Sequence, residues 1–389
     1  MIKEIQIDRF KSLRHTEQVK MGRVTLLTGV NGRGKSSFCQ TLLTLSQTWR
    51  RGMMDSLLPA GAWKDLGTYD DIVFAFDEDK TIRIHIITDA ENGNDFDLHY
   101  RQSVENPTLG EVLDVKVGGK PINDDSSSSS DGEEDVDNDS PEEEQIRISS
   151  LGDFTSLMAL KRMFYVAADR VAAPGVQQLD ETTPYEYMAP TGENVLNVLW
   201  KNKNSDCIKK AQEMLNRILD GGRIVLEPAG DRLVLRINSV DDGKFYQPVN
   251  VGYGYSYILS LITAAVLAPK DSYIIVENPE AHLHPSAQAK MMNELIEVTK
   301  ERDIQLIVET HSDHVLNTAL RAVNERRLGK DDFAVLFFSN YQGEEGFIEA
   351  RVRNLDINSM GHILNPPKQF FEQYSTDLRA LYVSPVRHE

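Results

Sequence analysis

The chain of 389 residues is two to three times as long as a usual single domain, so we expect one large elaborated domain or a core with a second lobe. Its composition, 40% hydrophobic and 26% charged, is typical of a globular protein and excludes collagen-like and disulfide-scaffold chains. A net charge of −18 argues against a protein that coats nucleic acid through a general basic surface.

The negative charge is concentrated in one segment. Residues 121–145 contain eleven acidic residues and no lysine or arginine, which leaves a net charge of −7 for the other 364 residues. A segment of this composition buries too little apolar surface to fold, so we predict a disordered acidic insertion. It would serve as a solvated linker or as a contact for a basic partner. Because the remaining chain is close to neutral, DNA binding stays open.

The cysteine content and the apolar runs indicate the compartment. Cys39 and Cys207 are too few for a disulfide framework or a four-thiolate zinc site, as expected in a reducing environment. The N-terminus has no apolar signal core, and the longest apolar run, residues 255–268, is too short to span a bilayer. We therefore predict a cytoplasmic protein with no membrane contact.

The predicted elements define an α/β fold in five regions. Residues 1–120 form a first lobe, in which strands at 5–7 and 24–27 lead into a helix over 36–50 and short strands at 82–88 and 95–101 suggest an antiparallel flank. After the insertion at 121–145, residues 146–245 form a helical and β-hairpin region, with a helix at 207–219 and strands at 223–226 and 233–237. Residues 246–345 form a second lobe with buried strands at 273–276, 305–308 and 333–337, and residues 346–389 a small C-terminal region. Continuous apolar strands separated by helices indicate a parallel sheet covered on both faces.

A phosphate-binding loop follows the second predicted strand. Residues 29–36 (GVNGRGKS) fit the pattern G-x-x-x-x-G-K-[ST] and stand between a strand and a helix, which is the context that the motif needs. Glycines let backbone N–H groups turn toward phosphates, and the helix N-terminus favours negative charge. We expect Lys35 to reach the β- and γ-phosphate oxygens and the Ser36 hydroxyl to ligate Mg²⁺.

Two acids at the end of a later strand could complete this chemistry. Glu277 ends the strand 273–276, at the sheet edge where ligands bind in open α/β folds, and would hold the metal. Glu280 is a candidate base or orienter for the attacking water. Alternatively, Glu280 stabilises the N-terminus of the helix that begins near Pro285.

A histidine and a glycine turn add two further candidate contacts. His311 emerges at the same sheet edge and can donate to the γ-phosphate. The pairs His311 with His314 and His282 with His284 could instead ligate a metal, although neither has an HExxH pattern or a third ligand at zinc-like spacing. Gly252, Gly254 and Ser256 open an apolar helix and form either a second phosphate-binding turn or a tight turn that packs a buried helix.

Taken in order, these motifs resemble the ABC-type ATPases of the RecF, SMC and OLD (overcoming lysogenization defect) superfamily. The resemblance is to the stand-alone OLD-like ATPases that carry a short C-terminal domain of unknown function. The matching runs are Ile5-x-Ile7-x-x-Phe10-Lys11-Ser12-Leu13, the phosphate loop with Asn31 and Ser36-Ser37, residues 168–170 (ADR), 251–256 (VGYGYS), 277–285 (ENPEAHLHP) and 309–314 (ETHSDH). The resemblance implies an ABC-type P-loop NTPase fold with a parallel core sheet, helices on both faces and an antiparallel β flank.

The resemblance also implies a role for each matching residue. ATP would be bound by Gly29, Asn31, Gly32, Gly34, Lys35, Ser36, Ser37, Lys11 and Ser12. Mg²⁺ would be held by Ser36 and Glu277, with Glu277, Glu280 and His311 as the catalytic set and His311 as the switch histidine. Gly252, Gly254 and Ser256 would contact the γ-phosphate bound to a second protomer, which requires a homodimer or a higher even oligomer.

Three departures from the family pattern limit the analogy. Asn278 stands where many ABC ATPases have the catalytic Glu, so either Glu280 takes that role or hydrolysis is slow. No heptad arms lie between residues 50 and 250, which excludes a long SMC-type tether. After the strand that leads to Thr310 and His311 there is no Asp-x-Asp pair that would form the metal site of a Toprim nuclease domain, so nuclease activity would have to come from a partner.

We therefore expect a Mg²⁺-dependent ATPase that dimerises around ATP to control a partner effector or a DNA transaction, in anti-phage defence or genome maintenance. The effector would be a protein such as a nuclease encoded nearby. The alternative is an ATP-binding scaffold with little hydrolysis that sequesters or activates a toxic effector. A GTPase or small-molecule kinase is disfavoured, because the nearest match to Asn-Lys-x-Asp, at residues 202–205, ends in Ser205.

Overall fold

A computed structural model describes most of the chain. The described residues are 1–75, 77–90, 94–121, 157–182, 184, 188–239, 242–342, 348–364, 366, 367 and 370. The predicted acidic insertion lies outside the described residues except for Pro121, and so does the end of the small C-terminal region.

The strands and helices of the described part occur in the following order. The strands are β1 (Ile2–Phe10), β2 (Leu13–His15), β3 (Val19–Lys20), β4 (Val24–Gly29), β5 (Ser56–Leu57), β6 (Thr81–Thr88), β7 (Asp95–Gln102), β8 (Gly110–Val117), β9 (Lys120–Pro121), β10 (Met163–Val166), β11 (Val176–Gln178), β12 (Arg223–Ala229), β13 (Arg232–Asn238), β14 (Tyr273–Glu277), β15 (Gln305–Glu309), β16 (Phe333–Gln342), β17 (Ile348–Asn354), β18 (Asp356–Ile357) and β19 (Ile363–Leu364). The helices are α1 (Lys35–Arg50), α2 (Tyr69–Ile72), α3 (Val195–Lys201), α4 (Cys207–Leu219), α5 (Tyr253–Tyr257), α6 (Leu259–Leu267), α7 (Pro285–Arg302) and α8 (Asp313–Asn324).

The core sheet has six strands in the order β10-β14-β15-β4-β16-β17. All neighbours are parallel except β17, which pairs antiparallel with β16 at one edge. Every residue of β14 and β15 is buried, as expected for central strands of a sheet that is covered on both faces.

Two hydrophobic cores lie on opposite faces of this sheet. Ile274 and Val276 of β14 belong to the core that includes α3, α4, α6, α7 and α8. Tyr273 and Ile275 belong to the core formed with α1 and a second, antiparallel sheet. The predicted α/β class with helices on both faces and an antiparallel flank is confirmed.

The antiparallel flank is an eight-stranded sheet in the order β2-β1-β6-β7-β8-β5, with β3 on β1 and β9 on β8. Alternate residues of β6 are buried, because one face of the flank packs on the core and the other faces solvent. The predicted strands at 82–88 and 95–101 correspond to β6 and β7.

A three-stranded sheet, β11-β13-β12, shares no strand with the core sheet or the flank, and β13 packs on the helical core through Leu233, Leu235 and Ile237. Its hairpin has longer strands than predicted, because β12 continues through Pro228, which pairs with Leu233. Proline is tolerated there since β12 is an edge strand and its missing N–H faces no neighbour. Gly230, at a φ of 64°, makes the tight turn possible.

Candidate functional site

The phosphate loop is fixed to the core sheet by its first glycine. Gly29 ends β4 at a φ of 126°, and a Cβ placed there would lie 2.1 Å from the carbonyl oxygen of Phe338 on β16. The next amide, of Val30, donates to that same oxygen at 3.0 Å. Only glycine allows this close approach of the two backbones.

The lysine of the motif folds back onto the loop that precedes it. Lys35 Nζ donates to the carbonyl oxygens of Gly29 at 3.2 Å and Val30 at 3.0 Å. Burial lowers the pKa of this ammonium, while the negative charge of Glu309 raises it. The loop therefore encloses a cation that is available to phosphate oxygens.

The serine of the motif contacts an acid that sequence reasoning missed. Ser36 Oγ donates to both carboxylate oxygens of Glu309, at 3.0 and 3.1 Å. Glu309 ends β15 as Glu277 ends β14, and their Cα atoms are register partners. The signal in the sequence was the shared form of the runs YIIVE and QLIVE, each of which ends in Glu.

Glu277 and Glu309 form a buried acidic centre behind Ser36. One potential ligand atom from each of Glu277, Glu309 and Cys39 lies within 4.8 Å of the others. Burial raises the pKa of Glu309 to about 7, and the negative charge of Glu277 adds to the effect. The hydroxyl of Ser36 and the two carboxylates are the oxygen donors that Mg²⁺ prefers, so the predicted pair Ser36 and Glu277 fits this metal, with Glu309 between them.

A buried arginine holds the end of β14. Arg170 is 3% exposed and donates from its guanidinium to the carbonyl oxygens of Glu277 and Asn278, both at 2.8 Å. The guanidinium also lies 4.7 Å from the ring centroid of Tyr257 in α5. Just before it, the amide of Ala168 donates to the Glu277 carboxylate at 3.1 Å. The run Ala168-Asp169-Arg170 thus links the acidic centre to the glycine turn.

Asn278 has a strained backbone and an unsatisfied side chain. Its φ is 46°, and its amide donates to the carbonyl oxygen of Glu309 at 2.8 Å. Its side-chain Oδ1 is buried and has no hydrogen-bond partner among the described residues. An amide in this position cannot accept a proton, so it supplies no catalytic base.

Glu280 is bound to the strand end that carries the histidine. Its Oε2 accepts from the hydroxyl of Thr310 and its Oε1 from the amide of His311, both at 2.9 Å. The helix that follows, α7, is capped by His284, whose ring accepts from the amide of Ser286 at 3.4 Å. The contacts of Glu280 therefore favour the site over the helix cap.

His311 lies beside the lysine of the phosphate loop. Burial lowers its pKa, the charge of Lys35 lowers it further, and Glu280 opposes both. A neutral imidazole is expected at neutral pH. Among the described residues, the histidine pairs His311 with His314 and His282 with His284 do not belong to any cluster of three potential metal ligands.

Three more residues predicted to bind ATP, Lys11, Ser12 and Ser37, lie next to the phosphate loop. Lys11 Nζ donates to Gln40 Oε1 at 3.0 Å, and the hydroxyls of Ser12 and Ser37 are 3.3 Å apart, so the turn between β1 and β2 packs on α1. Burial lowers the pKa of Lys11.

The predicted signature residues lie at and within α5. Gly252 is the N-cap of α5, and a Cβ on Gly254 would lie 3.1 Å from the carbonyl oxygen of His282. Ser256 is 3% exposed and donates to the carbonyl oxygen of Tyr253 at 3.2 Å. Tyr253, by contrast, is 66% exposed. The outer end of this segment is therefore the part that a second molecule can reach.

A comparison with protein families matches residues 24–317 to a model described as "AAA domain, putative AbiEii toxin, Type IV TA system". The chain belongs to this AAA family. Both the phosphate loop and the acidic centre lie within the matched residues. An ATPase of the AAA class binds nucleotide. A search of curated proteins finds no match.

Solved structures of SMC heads share the fold of this AAA family member. An SMC head bound to the C-terminal winged-helix domain of ScpA has 15% identity and a TM-score of 0.53, over 91% of this chain and 98% of that one. An SMC head with an extended coiled coil, bound to the C-terminal domain of ScpA and derived from Pyrococcus furiosus, has 11% identity and a TM-score of 0.50, over 98% of this chain and 99% of that one. The predicted ABC-type fold is confirmed.

No helix among the described residues is both long enough and apolar enough to cross a bilayer.

Proposed function

We propose that the protein binds ATP together with Mg²⁺ and hydrolyses it at the acidic centre. The observation that carries the proposal is the hydrogen bond from Ser36 to Glu309, which joins the phosphate loop to the strand ends that carry the acids. Oxygen donors from the loop and from the sheet therefore meet at one point, as metal-assisted phosphoryl transfer requires.

The residues of the loop would bind the phosphates. The backbone amides over 29–36 and the helix N-terminus favour negative charge, and Lys35 exchanges the carbonyl oxygens of Gly29 and Val30 for phosphate oxygens. Ser36 and Glu277 would hold Mg²⁺, which neutralises charge on the phosphates when bound. Lys11, Ser12 and Ser37 lie next to the loop and would bind the outer part of the nucleotide.

Glu280 would orient the attacking water and His311 would donate to the γ-phosphate. The hydrogen bonds from Thr310 and His311 fix the Glu280 carboxylate at the sheet edge, and an ionised carboxylate can still accept from a water through its other lone pairs. The neutral state of His311 leaves one ring nitrogen as a donor.

The test is ATP turnover by the purified protein and by two lysine variants. Lys35→Ala should lower turnover at least a hundredfold, while Lys209→Ala, on the exposed side of α4, should leave it unchanged. Equal turnover in the wild type and Lys35→Ala would refute the enzyme proposal.

We further propose a homodimer, or a higher even oligomer, that closes around ATP through the glycine turn. Gly252, Gly254 and Ser256 would face the nucleotide of the other protomer, and the exposed Tyr253 at the outer end of the turn supports this proposal. The mass in solution should increase with ATP in Glu280→Gln and not with ADP. Tyr253→Asp should prevent that increase, and a mass independent of nucleotide would count against the dimer.

The partner would be an effector protein, such as a nuclease encoded nearby, or DNA, in defence against phage or in genome maintenance. The family description names a toxin of a toxin–antitoxin system, and two SMC heads of the same fold carry a bound ScpA domain. Glu280→Gln with ATP is the form to use in a pull-down from the host. Retention of a nuclease only with ATP would support the proposal, and no ATP-dependent retention of protein or DNA would contradict it.

The second candidate function is an ATP-binding scaffold with little hydrolysis. The side-chain amide of Asn278 at the position of the usual catalytic acid favours it. A scaffold should bind ATP with the same affinity and form the same oligomer whether or not Glu280 is changed to Gln, with single-turnover hydrolysis near the uncatalysed rate in both.

A further inference from the structure

The acidic centre has a sulfur ligand on its inner side that the proposed ATPase chemistry does not use. Cys39 is fully buried, one turn into α1, and its Sγ lies within 4.8 Å of carboxylate oxygens of Glu277 and Glu309. Mg²⁺ binds oxygen and not thiolate, so the cysteine adds nothing to a magnesium site. A thiolate with two carboxylates suits zinc and related transition ions.

A second observation points to the same place. The hydroxyl of Tyr165 on β10 is buried, with the residue 1% exposed, and makes no hydrogen bond of normal length to any described residue. Tyr165 is the register partner of Ile275, so its side chain lies on the same face of the sheet as Glu277. Burial raises the pKa of this hydroxyl, and the charge of the Glu277 carboxylate and a side-chain interaction with it raise the pKa further. A buried and unsatisfied polar group calls for a partner such as an ion or a water.

We propose that Cys39, Glu277 and Glu309, with the Tyr165 hydroxyl as a fourth donor, form a binding site for a thiophilic divalent ion such as Zn²⁺. Bond lengths of about 2.3 Å to sulfur and about 2.1 Å to oxygen fit ligands at these separations after small side-chain rotations. The amide of Ala168 and the hydroxyl of Ser36 orient the two carboxylates from outside, as outer partners do in metal sites.

Binding of the ion releases the thiol proton of Cys39 and, at pH values below about 7, also the proton that Glu309 carries in the free protein. The thiol is protonated in the free protein, because burial raises its pKa. On binding, the S–H bond breaks, a Zn–S bond forms, and the proton passes to the buffer. The ion enters past Ser36, which is the partly exposed member of the centre.

Occupancy of this inner site withdraws Glu277 and Glu309 from the site proposed for Mg²⁺. Zinc would therefore inhibit ATP hydrolysis, a consequence that rests on the proposed function, whereas binding of the ion does not. The two can be tested separately.

The binding test uses Co²⁺, which gives a strong near-ultraviolet charge-transfer absorption when bound to thiolate. The chain has two cysteines, Cys39 and the buried Cys207 of α4, so Cys207→Ser is a matched control. In nucleotide-free protein with excess Mg²⁺, we expect one equivalent of Co²⁺ to give the band in the wild type and in Cys207→Ser, and Zn²⁺ to abolish it. A band in Cys207→Ser identifies Cys39 as the sulfur ligand without any change at the acidic centre.

Cys39→Ser should lose the band. Tyr165→Phe should keep the band but bind Co²⁺ about tenfold more weakly, because the site loses one ligand. Absence of a thiolate band in the wild type, or its loss in Cys207→Ser, would overturn the proposal and leave a buried water as the partner of Tyr165. In the turnover assay, equimolar Zn²⁺ should inhibit Cys207→Ser at least tenfold more strongly than Cys39→Ser. If the protein hydrolyses no ATP at all, the Co²⁺ band still decides the binding proposal.

Discussion

Glu277 and Glu309 face each other across two neighbouring parallel strands, with their Cα atoms in register and each residue 6% exposed. Two ionised carboxylates this close repel each other, and burial removes the water that would screen them. The arrangement is stable with one carboxyl protonated or with a cation between the pair. In the absence of metal, the acidic centre therefore lowers the stability of the folded protein.

Glu309→Gln should stabilise the metal-free protein at pH 8 and leave its stability at pH 4.5 unchanged. In the folded protein the pKa of Glu309 is raised from 4.5 to about 7. The wild type therefore loses stability as the pH rises from about 4.5 through 7, because ionisation of Glu309 is less favourable in the folded protein than in the unfolded chain. The gain is on the order of 2 kcal/mol in the free energy of unfolding. Urea denaturation in a chelator at both pH values measures it.

The control for this variant is Glu301→Gln, at an exposed glutamate in α7, which should show no such gain. Turnover of ATP should fall in Glu309→Gln despite its higher stability. Lower stability at pH 8 would contradict the repulsion argument.

Thr310→Val should lower kcat about tenfold with little change in the affinity for ATP, if Glu280 orients the water. The variant removes the hydroxyl that donates to Glu280 Oε2 and so positions its carboxylate. A tenfold lower kcat corresponds to an activation free energy that is higher by about 1.4 kcal/mol. Glu280→Gln should lower kcat by a hundredfold or more. Single-turnover kinetics separates these effects from nucleotide release.

Thr310→Ser keeps the hydroxyl and should restore most of the activity. Full activity in Thr310→Val would show that this hydrogen bond has no part in the reaction.

Arg170→Lys should lower the free energy of unfolding by about 3 kcal/mol. The planar guanidinium of Arg170 donates to the carbonyl oxygens of Glu277 and Asn278 at the same time, which the single ammonium of lysine cannot do from that position. A buried charge with fewer hydrogen-bond partners destabilises the folded protein. Thermal denaturation should show the loss, while Arg232→Lys at an exposed position of β13 should change little. A Tm equal to that of the wild type would mean that lysine can replace both hydrogen bonds of the guanidinium.

Gly29→Ala and Gly32→Ala should differ sharply in stability although both lie in the phosphate loop. At Gly29 the added methyl would meet the Phe338 carbonyl at 2.1 Å, so we expect a loss of about 3 kcal/mol or more. Gly32 has a φ of 69° and open space around it, so only the left-handed backbone is penalised, by about 1 kcal/mol. Similar losses in the free energy of unfolding for the two variants, measured by urea denaturation, would mean that the left-handed backbone and not the contact with Phe338 accounts for the effect.

Local patterns predicted the parts of the site that follow one another in the chain. The order of strand, glycine loop and helix over β4 and α1 is visible because the motif and its flanking periodicities are contiguous. Glu277 and His311 were predicted because parallel strands end at one sheet edge. The pairing of Glu309 with Ser36 was not, since it depends on which strand becomes the neighbour of β14 and in what register.

Three other features were not predicted, for related reasons. β10 has only four residues, and a short apolar run cannot be distinguished from a buried helix segment by periodicity. Arg170 belongs to the run 168–170 that matches the family pattern, but its contact with the end of β14 depends on the pairing of β10 with β14. The unsatisfied Tyr165 hydroxyl is a property of packing that no local pattern encodes.

The position of β4 has a consequence for how the protein is made. This strand, Val24–Gly29, pairs with β15 on one side and β16 on the other, and both come from the last quarter of the chain. At translation rates of about 5–20 residues per second, β4 waits roughly 15 to 60 s after its own synthesis for both neighbours to emerge. Throughout that interval its two edges are open to pairing with other chains. The nucleotide site thus forms among the last features of the nascent protein, and a prematurely terminated chain carries the phosphate-loop motif without the sheet that holds it.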